Sequence, residues 1–212
     1  MLHKDPFVIH PDTFKLIQHI QAIPELKNFY LVGGTSLALQ IGHRNSIDID
    51  LFTNIPFETN ELIELLRESF KVEVSYQKST NNLFTFIDNI KTDFIRHDYE
   101  LIKQPQKEEG ITFLGMEDIA AMKVNAIINS GKRLKDFVDI YFLLEHFSLN
   151  EIISFFEKKY PHMNPLIALK SLSYFNDIDP EMDPPKLKVK LPFSKIQQRI
   201  EQAIISGNKL FP

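Results

Sequence analysis

In the run Ser46-Ile-Asp-Ile-Asp-Leu-Phe52, two aspartates recur at the period of a β-strand. Ile47, Ile49 and Leu51 are expected on one face, with Ser46, Asp48, Asp50 and Phe52 on the other. Aspartate is depleted in strands, and a buried charge without a partner is costly, so something should neutralise Asp48 and Asp50. Carboxylates two strand residues apart stand about 6.5–7 Å from each other at the backbone. The metal ions of a two-metal phosphoryl-transfer site lie about 3.5–4 Å apart. Side chains converging over that gap would make an Asp-x-Asp strand a two-metal platform. A half-exposed strand whose polar face meets water explains the alternation as well, and is the commoner case.

The residues just before the strand favour the chemical reading. Gly33 and Gly34 allow unusual φ and a close approach of backbone to ligand, and Thr35 and Ser36 open a helix whose free N–H groups attract phosphate. This is no Walker A loop, because the Gly-Lys-Ser/Thr ending is missing. A third carboxylate is available in Asn89-Ile-Lys-Thr-Asp-Phe-Ile-Arg-His97, where alternation places Asp93 in a strand. It can bind a metal and accept the proton of an attacking hydroxyl, or it is a surface residue; Asp88 and Asp98 are expected in turns. Arg44 lies close enough in sequence to pair with Asp48 or with a phosphate, and His43 is expected in a loop.

A second group lies further along. On a helix over 117–129, Lys123 falls on the apolar stripe of Ile119, Met122, Ala126 and Ile127. A lysine there either snorkels outward or meets an anion. In a helix starting near Leu134, Asp136 and Asp139 share a face with Ile140 and Leu143. An interhelical ion pair between Lys123 and Asp139 and a role on a triphosphate are both open, and they are compatible.

The combination of Gly-Gly-Thr-Ser, Arg44, Ser46 and Asp48-Ile-Asp50 resembles the signature of the nucleotidyltransferase superfamily related to DNA polymerase β. In the form GGTSLALQIGHRNSIDIDLF it resembles the AbiEii family of nucleotidyltransferase toxins, relatives of the MenT toxins. The later run MEDIAAMKVNAI…GKRLKDFVDIYFLL is similar to the family's second and third motifs, with Lys123 at the motif lysine, Asp139 at the motif aspartate and Asp136 beside it. The fourth motif, an acidic position near the C-terminus, has no clear match among Asp177, Asp179, Glu181 and Asp183. The resemblance implies an α+β fold, with a mixed-sheet nucleotidyltransferase core followed by a helical C-terminal half that contributes to the active site. It also implies transfer of a nucleotide from an NTP with two Mg²⁺ ions held by Asp48, Asp50 and Asp93. Gly33, Gly34, Thr35, Ser36, Arg44, Lys123 and Asp136 would bind the nucleotide, with Lys123 and Asp139 also catalytic. tRNA as acceptor and an antitoxin as protein partner follow from the same resemblance. The rival readings are a small-molecule or protein acceptor, and an inactive relative that binds a partner without turnover.

The elements that must position these groups can be read around them. Helices are expected at 12–22 behind an Asp12 cap, after Gly-Gly up to Gly42, and near 58–70. Strands are expected at Asn28–Val32, Ser46–Phe52, Lys71–Gln77, Asn82–Asp88 and Ile90–His97. From about residue 115 the pattern is helical, with five helices and a proline-rich loop or arm at 176–193. The expected division is 1–112 and 113–212. The chain of 212 residues carries a formal charge of −4, which does not advertise nucleic acid, and no DNA partner is expected. Lys186, Lys188, Lys190, Lys195 and Arg199 could nevertheless grip an RNA backbone, as could Lys132, Arg133 and Lys135. With no cysteine, disulfides, thiolate catalysis and cysteine-bound zinc are excluded. Asp177 opens no EF-hand, because Met182 and Lys188 stand where glycine and glutamate are needed. No apolar run reaches the about 20 residues of a membrane span, and the expected location is the cytoplasm.

Overall fold

A computed structural model describes residues 1–78, 80–182 and 184–212. By its contacts the chain divides into two compact units. One comprises Met1–Glu100 and Gln104–Leu114; the other comprises Leu101–Lys103 and Gly115–Pro212.

The first unit is a seven-stranded mixed sheet with helices α1 (Pro11–Gln21), α2 (Gly33–Ile41) and α3 (Thr59–Arg67). The strands are β1 (Tyr30–Val32), β2 (Ile49–Thr53), β3 (Val72–Gln77), β4 (Asn82–Ile87), β5 (Ile90–Arg96), β6 (Gln106–Glu108) and β7 (Ile111–Phe113), in the order β3-β4-β5-β2-β1-β7-β6. β2 runs antiparallel to β1 and parallel to β5, and β1 runs parallel to β7. The β4–β5 hairpin turns through Asp88 and Asn89, both at positive φ, the backbone that a tight two-residue hairpin requires. Asp98, after β5, pairs with Arg96 at 2.6 Å.

Ile49, Leu51, Leu83, Ile87 and Phe94 are fully buried on the face that α1 and α3 help to cover. Phe29 ties this core together, with its ring edge-on to Phe57 at 5.2 Å and to Phe94 at 5.5 Å.

Several expectations are corrected. β2 begins at Ile49, so Ser46, Ile47 and Asp48 precede the strand; Ile47 is 57% exposed and does not join Ile49 and Leu51. The cap of α1 is His10, whose ring accepts from the Asp12 backbone N–H, with Pro11 as first helical residue. Strands β6 and β7 were not expected; three residues are too few for a period to declare itself.

The second unit contains α4 (Met116–Asn129), α5 (Leu134–Leu143), α6 (Leu149–Lys159), α7 (Pro165–Leu172) and α8 (Phe193–Ile205). α4 packs on α5, α6 and α7, and α8 lies on α5. A reciprocal capping box between Ser148 and Glu151 starts α6. The segment 176–192 forms neither a helix nor a ladder strand among its described residues, though Asp179 makes an isolated bridge to Arg133. Asp183 lies outside the described residues. Among the described residues, no helix is long and apolar enough to cross a membrane.

Phe29→Ala is expected to lower stability by about 3–5 kcal/mol through lost burial and the cavity left among Phe57 and Phe94. Urea unfolding followed by circular dichroism measures this, and a loss below ~1 kcal/mol would show that the core collapses around the gap.

Candidate active site

The carboxylates of the first unit are brought together by strand register. Parallel pairing of β2 with β5 sets Asp50 directly beside Asp93, and antiparallel pairing of β1 with β2 sets Val32 on the other side of Asp50. The chain leaves β1 through Gly33, at φ +69°, and enters α2 at once. The two glycines have separate steric reasons. A Cβ on Gly33 would come within 3.0 Å of Asp50 Oδ2, and one on Gly34 would come within 3.0 Å of the Arg44 guanidinium. Gly-Gly is therefore the space taken by one carboxylate and one cation, and Gly33 also supplies the left-handed backbone.

Asp48 is placed by the loop that precedes β2. Thr35 Oγ1 donates to the Asp48 carbonyl and lies 2.8 Å from Ser46 Oγ. Asn45 Nδ2 donates to the Phe7 carbonyl at 2.7 Å, and the Ser46 amide donates to the Val8 carbonyl at 2.9 Å. Arg44, only 2% exposed, donates from Nη1 to the Asn45 carbonyl at 2.9 Å. Ser36 is buried, with Oγ 3.4 Å from the Leu114 carbonyl. The hydroxyls of Thr35 and Ser36 thus hold protein together, and their backbone amides are what remains for an anion at the start of α2. His43 is buried in the loop between α2 and β2.

Asp93 is 5% exposed, and its Oδ1 is buried with no hydrogen-bond partner. Its Oδ2 lies 3.1 Å from Lys91 Nζ, a contact that sequence reading missed although Lys91 and Asp93 share a strand face. Burial pushes the Asp93 carboxyl above its ordinary 3.8; Lys91 pulls it back, and the negative charge of Asp48 adds to the rise. Burial also works to lower the Lys91 ammonium, but Asp93, then Asp48 and Asp50, outweigh it and hold the pKa above the usual lysine value.

Among the described residues, no group of three or more acidic, histidine or cysteine side chains is drawn together tightly enough to enclose a metal ion. The donors nevertheless fit magnesium in kind. They are hard carboxylate oxygens, and one of them is a buried atom with an unused lone pair. Lys91 lies where it balances part of that charge.

The second unit holds the other predicted group as a buried ion network. Lys123 Nζ lies 2.7 Å from Asp136 Oδ1 and 2.7 Å from Asp139 Oδ2, and Arg133 Nε lies 3.8 Å from the other oxygen of Asp136. Lys123, Asp136 and Asp139 are all buried. α4 and α5 are thereby joined by a lysine between two carboxylates, as the ion-pair reading expects, with Asp136 as a further partner. A second buried pair escaped sequence reading altogether. Lys159 Nζ meets Asp118 Oδ1 at 2.8 Å, while the Ile102 and Lys103 amides donate to the Asp118 carboxylate at 3.0 and 3.1 Å. Arg199, read as part of a basic arm, stacks on Tyr141 at 3.6 Å and pairs with Glu145 at 2.8 Å. Lys186, Lys188, Lys190 and Lys195 are exposed.

Because burial raises the Asp93 pKa, the folded state holds that proton more tightly than the unfolded state does. The resulting stability is present below the unfolded pKa and is lost as pH rises through the folded one. Asp93→Asn should therefore raise the Tm of metal-free protein at neutral pH, and the gain should shrink on acidification; an equal gain at all pH values would contradict this. Lys123→Met should cost about 3–5 kcal/mol by leaving two buried carboxylates without their shared cation. Adding Asp139→Asn should restore part of that loss in urea unfolding.

The comparisons with known proteins bear on the family and the fold. The model of the nucleotidyl transferase AbiEii toxin family, Type IV toxin–antitoxin system, matches residues 15–203. The Aquifex aeolicus (strain VF5) protein aq_aa25 is 35% identical over 172 residues, covering 78% of this chain and 82% of its own. JHP933 from Helicobacter pylori has a TM-score of 0.59 at 14% identity, over 94% of this chain and 90% of its own. MenT4, a nucleotidyltransferase toxin from Mycobacterium tuberculosis H37Rv, has a TM-score of 0.56 at 11% identity, over 91% of this chain and 81% of its own. At such identities the two structures speak for the fold alone, an α+β nucleotidyltransferase fold. The family match over most of the chain carries the assignment: this chain belongs to the AbiEii family of nucleotidyltransferase toxins and is an NTP-using nucleotidyltransferase.

Proposed function

We propose that this chain moves a nucleoside monophosphate from an NTP to a hydroxyl of tRNA, with magnesium, as the toxin of a Type IV toxin–antitoxin system. The observation that supports this best is the register that sets Asp93 beside Asp50, with Gly33 left bare against the Asp50 carboxylate. A surface ornament of aspartates would need neither a buried lone pair on Asp93 nor a glycine emptied to admit Asp50.

In this reading Asp48, Asp50 and Asp93 would hold two Mg²⁺ ions, which would supply Lewis-acid stabilisation of the charge on the transferring phosphoryl group. Gly33 and Gly34 make room for the Asp50 carboxylate and the Arg44 guanidinium beside the triphosphate, and the amides at the start of α2 face its anionic oxygens. Arg44 fixes the loop that carries Asp48 and adds positive charge near the phosphates. The acceptor oxygen attacks the α-phosphorus in line, its proton passes to Asp93, and the bond to the β-phosphate oxygen breaks to release pyrophosphate. For Lys123, Asp136 and Asp139, a role on the nucleotide rests on family resemblance; within their own unit they form a buried ion network. tRNA is favoured as acceptor by the family and by the exposed lysines of 186–195, which suit a phosphate backbone. The family description also motivates the antitoxin partner.

The test is incubation of the protein with each α-³²P-labelled NTP, Mg²⁺ and total tRNA. Label should reach tRNA, and Asp48→Ala/Asp50→Ala should reduce transfer by about 100-fold or more. Mg²⁺ should raise the Tm of the wild type and not that of Asp93→Asn. Label on protein or small molecules alone would overturn the tRNA reading; an unchanged Tm in Mg²⁺ would overturn the metal assignment.

A further inference from the structure

Strict alternation along β4 sends Leu83, Thr85 and Ile87 into the core, all fully buried. Phe84 and Phe86 therefore lie on the opposite face, where a strand meeting water would ordinarily carry polar residues. That is the face of the carboxylates. Phe84 is the register partner of Asp93, and Phe86 is the partner of Lys91. Phe86 is 41% exposed and Tyr76, on the neighbouring β3, is 54% exposed.

Tyr76 reaches this row because β3 is irregular. If the register set by Val74 opposite Thr85 continued unbroken, Ser75 would stand opposite Phe84. The register shift between Val74 and Tyr76 puts Tyr76 there instead, and the two rings lie 5.7 Å apart at 47°. Ser75 Oγ donates to the Phe84 carbonyl at 3.1 Å, which pins the bulge. Bulges beside active sites commonly re-aim a side chain in this way. The result is three aromatic rings on one sheet face, starting a single strand spacing of about 4.8 Å from Asp93.

The geometry points to this row, Tyr76, Phe84 and Phe86, as a stacking platform for the unpaired bases at the end of an acceptor RNA strand. The inference deepens the proposed function and rests on its RNA acceptor. Every base has a π-face, so rings on an open sheet hold single-stranded nucleotides with little regard to sequence. An RNA end whose terminal hydroxyl sits at Asp50 and Asp93 has its last bases over Phe84 and Phe86, with Tyr76 next in line. A base-paired end keeps its bases stacked on each other and gains nothing from the row. The platform therefore selects acceptors with unpaired ends.

The experiment measures label transfer from an α-³²P-labelled NTP to two RNA hairpins, one with an unpaired 3′ tail and one blunt. The wild type should prefer the tailed RNA. Tyr76→Ala/Phe86→Ala should raise KM for the tailed RNA about tenfold, while kcat and the KM for NTP move far less. Phe86→Trp, which keeps a stacking surface, should retain the wild-type KM. The variants alter exposed side chains, and Tm values close to wild type confirm their folding. A wild-type KM in the double variant, or equal use of blunt and tailed RNA by the wild type, overturns the platform while the RNA reading stands. If the wild type labels no RNA, the acceptor reading itself falls and takes the platform with it.

Discussion

Carboxylates on neighbouring strands repel one another, and the structure around Asp50 and Asp93 is arranged about that repulsion. β2 and β5 lie inside the sheet, so neither aspartate can escape to an edge. Asp50 finds room only because Gly33 has no side chain, and Gly33 can turn at once into α2 only because glycine accepts its positive φ. Arg44 occupies the equivalent space at Gly34, so the two glycines admit one charge of each sign. Lys91 answers one oxygen of Asp93 and leaves the other buried without a partner.

The helical unit treats buried acid differently. Asp136 and Asp139 close on Lys123, and Asp118 closes on Lys159 and two backbone amides. A buried charge that is fully answered fixes the register of its elements, since removing either partner strands the other. A buried oxygen left unanswered fixes nothing; it is a capacity to bind. The contrast between Asp118 and Asp93 is what motivates the proposed site, without reference to motif.

Much of this was legible in sequence. The Asp-x-Asp spacing, the Gly-Gly turn and the alternation around Asp93 each carry a short-range signal, and the core helices carry a longer one. What could not be read depends on partners distant in the chain. Asp118 and Lys159 give no sign of each other in sequence, and Lys91 is an ordinary strand lysine until Asp93 is known to be buried. Asp48 keeps the alternation of a strand residue, yet it lies ahead of β2, in the loop that Thr35 and Asn45 tie down. Hydrophobic period reports which way residues would point in a strand, not where the ladder starts. The hydroxyls of Thr35 and Ser36 fasten α2 to the Asp48 and Leu114 carbonyls, bonds to distant chain that no short-range pattern announces.

The parallel pairing of β2 with β5 also dictates when these acids meet. Parallel neighbours cannot be joined by a tight turn, and here the intervening chain is α3 and the β3–β4 hairpin. During synthesis, β2 leaves the ribosome with Asp50 long before Asp93 is made, and the two cannot face each other until the whole crossover has been threaded. Contacts so far apart in sequence form late. A nascent or truncated chain ending before β5 thus holds Gly33, Gly34 and Asp50 but not Asp93, so the two acids stand side by side only once the core is complete.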